Sequence, residues 1–240
     1  MIKVENLVYN DLSYNELSDV NFEVNKGEVS AVIGENGCGK SLLLKVIAEP
    51  HIDYAGRITV AHFRAKTEPE KAKANVGYLP KPVVVEPFLT GFEYLETIAA
   101  FHGLEPKDRR EKILKLASEL GCKDYLYTLL ERMGPAMSQK VAIIASLIHE
   151  PSVILWDEPL LHLDPTSQRA ALRLLQKAVS KGASALIATN DLHLAEDVAD
   201  RLIILKDGQI QYEGTIKQIH NLIKSPKADL PSMYQHVFGE

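Results

Sequence analysis

A chain of 240 residues, 46% of them hydrophobic, can bury a sizeable core as one large domain or two lobes. Its 27 basic residues against 32 acidic ones leave a net charge of -5, which argues against a face built to grip phosphate backbones, so nucleic acid is not an expected partner. The two cysteines are too few for a disulfide framework, the eight histidines show no metal-ligand spacing, and no run reaches the roughly 18 apolar residues of a membrane span. With no secretory pattern at Met1–Asn6, the expectation is a soluble, cytoplasmic protein with reduced thiols.

In chain order, Val20–Val24 alternates apolar and polar residues, Lys26-Gly27 forms a turn, and Val29–Ile33 reads as a buried strand. Helical spacing follows from Ser41 through Ala48 and stops before Pro50. Arg57–Val60 reads as a strand, residues 66–73 as a charged stretch, and Val76–Pro80 as a short strand entering a loop. Thr90 is placed to cap a helix carrying Phe92, Leu95, Ile98 and Phe101 that ends at Gly103, and Ile113, Leu116, Ala117 and Leu120 form a second apolar face ended by Gly121. Strand patterns return at Val153–Trp156, Ala183–Thr189 and Arg201–Leu205 with helices between them. This alternation predicts an α/β fold with a mostly parallel sheet covered on both faces, and a helical lobe inserted between about residues 86 and 148. Residues 1–224 are expected to form one domain, followed by a short tail over 225–240.

Between the buried strand and the first helix lies Gly34-Glu35-Asn36-Gly37-Cys38-Gly39-Lys40-Ser41, which satisfies the phosphate-loop pattern G-x-x-x-x-G-K-[ST] in the strand-to-helix setting the pattern requires. Its glycines let consecutive N–H groups face an anion, and the helix beginning near Lys40 adds the positive end of its dipole. Lys40 would neutralise the β and γ phosphates of a nucleotide, and the Ser41 hydroxyl would ligate the Mg²⁺ bridging them. The hydrophobic run Val153–Trp156 ends in Asp157 and Glu158. There Asp157 can hold a water or the Mg²⁺, while Glu158 faces the γ-phosphate and polarises an attacking water. No Asn-Lys-x-Asp segment for guanine is present, so ATP is the expected nucleotide.

The order of these motifs resembles ABC-type ATPases from about Val4 to about Ile219. The resemblance implies a P-loop core with an N-terminal antiparallel β portion, a second ATP-binding subunit across the nucleotide, identical or not, and a membrane-spanning partner that holds the protein at the inner face of the cell membrane. Asp157–Pro165 resembles the family's Walker B and D-loop segment, with Asp164 at the position that contacts the opposite subunit. Lys206–Ile210 and Glu213-Gly214 are similar to its closing strands, and Leu89–Leu95 is similar to the branch that powers bacterial export. An adenine-stacking aromatic is expected upstream of the phosphate loop, with Tyr9 and Tyr14 both candidates.

Three positions depart from the family pattern. The Q-loop glutamine is replaced by Lys81, which as a cation cannot ligate Mg²⁺ and is free to touch a phosphate or pair with Glu158. The signature segment aligns with Met133–Met137, where Gly134 brings no hydroxyl, Pro135 brings no N–H, and Ala136 follows in the helix start. Asn190 stands where the family carries its switch histidine, and asparagine donates a hydrogen bond without carrying a proton. These losses lead to an expectation of slow hydrolysis in a transporter subunit that couples Mg-ATP binding and pairing of subunits to its membrane-spanning partner, and they lend modest support to an alternative, an ATP-gated regulatory subunit that powers no transport.

Overall fold

The structure, a computed structural model, describes residues 1–10 and 16–218. An antiparallel sheet of β1 (Ile2–Asn10), β2 (Glu16–Val24), β4 (Ala55–Val60) and β5 (Phe63–Arg64) runs in the order β2-β1-β4-β5. A second sheet has the order β10-β9-β3-β8-β7-β6, built from β3 (Val29–Ile33), β6 (Val76–Leu79), β7 (Val153–Asp157), β8 (Ser184–Ala188), β9 (Arg201–Lys206) and β10 (Gln209–Thr215). Its strands are parallel except β10, which returns antiparallel on β9. β3, β7 and β8 are buried at every position, as strands covered on both faces must be.

One face of the parallel sheet shares a core with the antiparallel sheet and α1 (Lys40–Ala48). The other packs against α3 (Gly91–Phe101), α4 (Pro106–Glu119), α5 (Pro135–Leu147) and α6 (Pro165–Ser180) in a single apolar cluster. The helices between β6 and β7 therefore share apolar packing with the sheet. Trp156 of β7 is fully buried there, and its indole N–H donates to the Ser146 hydroxyl of α5 at 2.9 Å.

Thr90 caps α3 as predicted, accepting from the Glu93 N–H at 3.2 Å while the Glu93 carboxylate accepts from the Thr90 N–H at 2.8 Å. Gly103 and Gly121 follow α3 and α4 in the left-handed conformation that ends helices. Phe101 differs from expectation and is 82% exposed. The buried stripe of α3 is Gly91, Leu95 and Ala99, an i, i+4 row, and Phe101 lies about 200° around the helix from Ala99. The charged stretch 66–73 contains a six-residue helix, α2 (Pro69–Ala74), which buries only Ala72. The short α7 (Leu192–Val198) follows β8, capped by Asp191. The tail over 225–240 lies outside the described residues.

Candidate functional site

β3, β7 and β8 all point their carboxyl ends at one cleft of about 380 Å³, lined by Asn36, Gly37, Gly39, Lys40, Ser41, Lys81, Asp157, Glu158 and Asn190. Ligands of open α/β sheets gather at such an edge, beyond the strand ends. Gly34 starts the turn, where a Cβ would meet the Leu205 carbonyl oxygen at 2.2 Å, and Gly39 ends it at φ 106° with no side chain capping α1. The first-turn N–H groups of α1 thus open onto the cleft with no capping side chain competing for them. Gly34 and Cys38 are buried behind the turn, and Glu35 is exposed on it.

Lys40 is 7% exposed and donates to the carbonyls of Gly34 at 2.7 Å and Glu35 at 2.8 Å. Burial pushes its ammonium pKa down, opposed by Cys38, Glu158 and Asp157. Asp157 is 2% exposed, and its Oδ2 is buried with no hydrogen-bond partner. Burial raises the Asp157 carboxyl pKa and the neighbouring Glu158 raises it further, while Ser41, Lys81 and Lys40 pull it back.

The next residue, Glu158, turns away from the strand at φ 46°. Its Oε2 accepts from the Thr189 hydroxyl at 3.1 Å and its Oε1 accepts from the Asn190 N–H at 3.0 Å. The Asn190 side chain then donates to Asn36 Oδ1 at 2.6 Å, which ties the phosphate turn to the end of β8. Lys81 is exposed on the cleft wall and forms no ion pair with Glu158. Two contributors carry no sequence motif of their own. Thr189 is legible only from the β7/β8 register, which sets Asp157 opposite Ala188 and so brings the following residues together. Gln139, buried on α5, donates to the Pro159 carbonyl at 2.9 Å and links that helix to the turn after Glu158.

The positions expected to face a second subunit lie apart from the cleft lining. Gly134 and Pro135 are exposed at the start of α5, where Gly134 caps through its backbone alone and Pro135 takes the first helical position. Asp164 caps α6, accepting from the Thr166 N–H at 2.9 Å, the Ser167 N–H at 3.0 Å and the Ser167 hydroxyl at 2.5 Å. The Ser167 hydroxyl and N–H hold its carboxyl pKa down at about 2. Tyr9 is half-buried in β1 against the core and does not line the cleft, and Tyr14 lies outside the described residues.

Residues 17–161 match the family described as ABC transporter. The chain belongs to that family, as an ATP-binding subunit. It is 29% identical over 222 residues to the ABC transporter ATP-binding protein NatA of Bacillus subtilis, spanning 92% of this chain and 90% of that one. It is 30% identical over 219 residues to the phosphonates import ATP-binding protein PhnC 2 of Oceanobacillus iheyensis, spanning 85% of each. A solved ATP-binding subunit of an ABC transporter superposes with a TM-score of 0.93 at 30% identity over 99% of both chains. The fold is also that of an ATP-binding cassette solved as a dimer in a post-hydrolysis state with ADP and Pi, with a TM-score of 0.81 at 23% identity over 90% of this chain and 99% of that one. Among the described residues, no helix is long and apolar enough to cross a membrane.

Proposed function

We propose that this ABC ATP-binding subunit holds Mg-ATP on residues 34–41, closes on a second ATP-binding subunit, and drives a membrane-spanning partner with slow turnover. One observation carries the nucleotide reading: Lys40 and Ser41 after β3 and Asp157 and Glu158 at the end of β7 converge on a single cleft beyond the carboxyl ends of two parallel strands that flank β8. Triphosphate oxygens would take the α1 N–H groups and compete with the Gly34 and Glu35 carbonyls for the Lys40 ammonium.

The buried, unpartnered Asp157 Oδ2 beside Ser41 fits a hard divalent cation, which takes oxygen ligands, so Asp157 and Ser41 would hold Mg²⁺. Once bound, that ion would offset charge on the phosphate oxygens. Glu158, fixed by Thr189 and the Asn190 N–H, is the base that would orient a water and accept its proton.

Slow turnover follows from the rim. In this family the signature helix of one subunit reaches the nucleotide of the other. Here that helix starts without a hydroxyl at Gly134 or an N–H at Pro135, so Ala136 and the helix dipole are left to attract the γ-phosphate. Asn190 already donates its side-chain amide to Asn36, and Lys81 adds charge to the cleft wall. Asp164 would face the opposite subunit from the start of α6. Tyr9 or Tyr14 would stack on adenine.

The segment from Pro82 to Phe92 includes Val84 at 72% and Phe88 at 77% exposure, an apolar surface suited to a membrane-spanning partner that would hold the protein at the inner face of the membrane. The export-type assignment rests on Leu89–Leu95, the segment that enters α3. The missing donors at Gly134 and Pro135 also support a second reading, an ATP-gated regulatory subunit that powers no transport.

Purification from membranes separates the two: a transporter motor brings a polytopic membrane protein with it, and a regulatory subunit comes alone. Turnover of the purified homodimer tests the kinetic half. The expected rate is below about 0.1 per second, against a typical enzyme value of about 10 per second. A rate of about 1 to 10 per second that Glu158→Gln abolishes would contradict it.

A further inference from the structure

A second cleft, of about 370 Å³, opens where β7 and β8 begin, with Ser152 and Ala183 in its lining, opposite the strand ends that carry Asp157 and Thr189. Its floor is apolar, made by Leu147, Leu174 and Ala183. Its rim is cationic: Lys112 and Lys115 from α4, Lys177 from α6, Lys181 just beyond it, and Lys26 from the turn between β2 and β3.

Two carboxylates answer these five ammonium groups. Glu150 lies 3.2 Å from Lys112 and 4.0 Å from Lys181, and Glu119 lies 3.2 Å from Lys177. Lys26 and Lys115 form no ion pair among the described residues. The cleft therefore carries three positive charges in surplus, on a chain whose net charge is -5. The backbone also makes room for the Lys26 side chain against Gly182 in the cleft lining. Gly182, at φ 101°, leaves the space that Lys26 occupies, and a Cβ there would meet the Lys26 Cε at 2.5 Å.

We infer that this cleft binds a small phosphorylated polyanion, its phosphates on the lysine rim and its organic body on the apolar floor. Lysine supplies point charges suited to phosphate, and the surplus matches an anion of about three charges. Because α4 lies between β6 and β7 while α6 follows β7, such a ligand would bridge the inserted helices and the sheet-flanking helix beyond them. The site is separate from the nucleotide cleft, so its failure would leave that reading intact.

Inorganic tripolyphosphate is the probe, titrated calorimetrically into the full chain carrying Lys40→Ala, which weakens the phosphate-loop contribution so that the Lys26- and Lys115-dependent uptake is read separately from it. One site per chain is expected, weakened about tenfold by Lys115→Gln and about tenfold again by Lys26→Gln, with thermal melting unchanged. No uptake, or uptake indifferent to both substitutions, would overturn the assignment. Sedimentation with phosphatidic-acid vesicles separates a lipid headgroup from a free anion. Lys115-dependent vesicle binding without tripolyphosphate uptake would likewise overturn it.

Discussion

The two halves of the nucleotide site are built to different standards. On the near side, Lys40 and Asp157 are almost fully buried, Glu158 is held through both oxygens, and Asn190 locks the end of β8 to the phosphate turn. On the rim that would meet a second subunit, Gly134 and Pro135 stand exposed, and the cap of α5 lacks any side-chain bond. Burial is costly and demands specific partners, so it preserves a residue pattern. An exposed helix start asks only for backbone compatibility, and there the donors that would touch a partner's nucleotide are missing.

The largest test of this contrast is Glu158→Gln. It keeps an acceptor for the Thr189 hydroxyl but removes the base, so turnover should fall by about a hundredfold or more while ATP affinity is kept. Retained turnover measured by phosphate release would move the base elsewhere.

A second test concerns stability behind the site. His149, between α5 and β7, donates from Nε2 to the Val76 carbonyl at 3.0 Å, stacks on His102 at 3.6 Å between ring centroids, and leaves Nδ1 buried without a partner. Burial first, then His102 and Lys112, push its pKa from 6.5 down to about 4. The unfolded chain therefore binds the extra proton between pH 6.5 and 4, and stability falls as pH drops through that window, by about 2 kcal/mol after allowing for partial exposure. Urea unfolding at pH 7 and pH 5 should show a smaller loss in His149→Gln, and equal losses would remove the histidine from the account.

Thr189→Val comes next. It deletes the hydroxyl that holds Glu158 Oε2 while nearly conserving shape, so turnover should fall about tenfold with ATP binding unchanged. Unchanged turnover would reduce Thr189 to a packing residue.

The smallest effect belongs to Gly134→Ser on the rim. Gly134 has an ordinary backbone conformation, and a Cβ there meets nothing within 4 Å, so a serine cap should stabilise the fold by a few tenths of a kcal/mol. It should also raise turnover, because it places a hydroxyl on the edge proposed to meet a partner's nucleotide. Unchanged turnover would contradict the proposal that the rim limits hydrolysis.

What could be read without coordinates follows the same division. The phosphate turn was legible because its chemistry is contiguous: residues 34–41 carry the glycines, lysine and serine in one run between a strand and a helix. Asp157 and Glu158 were legible because two carboxylates end a strand that is otherwise apolar. Thr189 and Gln139 act through contacts 31 and 20 residues away in sequence, and no local pattern marks such pairings. α2 was hidden because six residues with one buried side chain show no periodicity. Phe101 misled because the i, i+3 spacing from Ile98 fits an apolar face, whereas the stripe α3 buries follows Leu95 and Ala99.

Magnesium-dependent ATP uptake by the folded chain, measured by calorimetry with Lys40→Ala alongside, tests the central claim most directly. Saturable binding that needs magnesium and weakens about tenfold or more in the variant is the predicted result. Uptake that ignores either the metal or the Lys40 ammonium would contradict it.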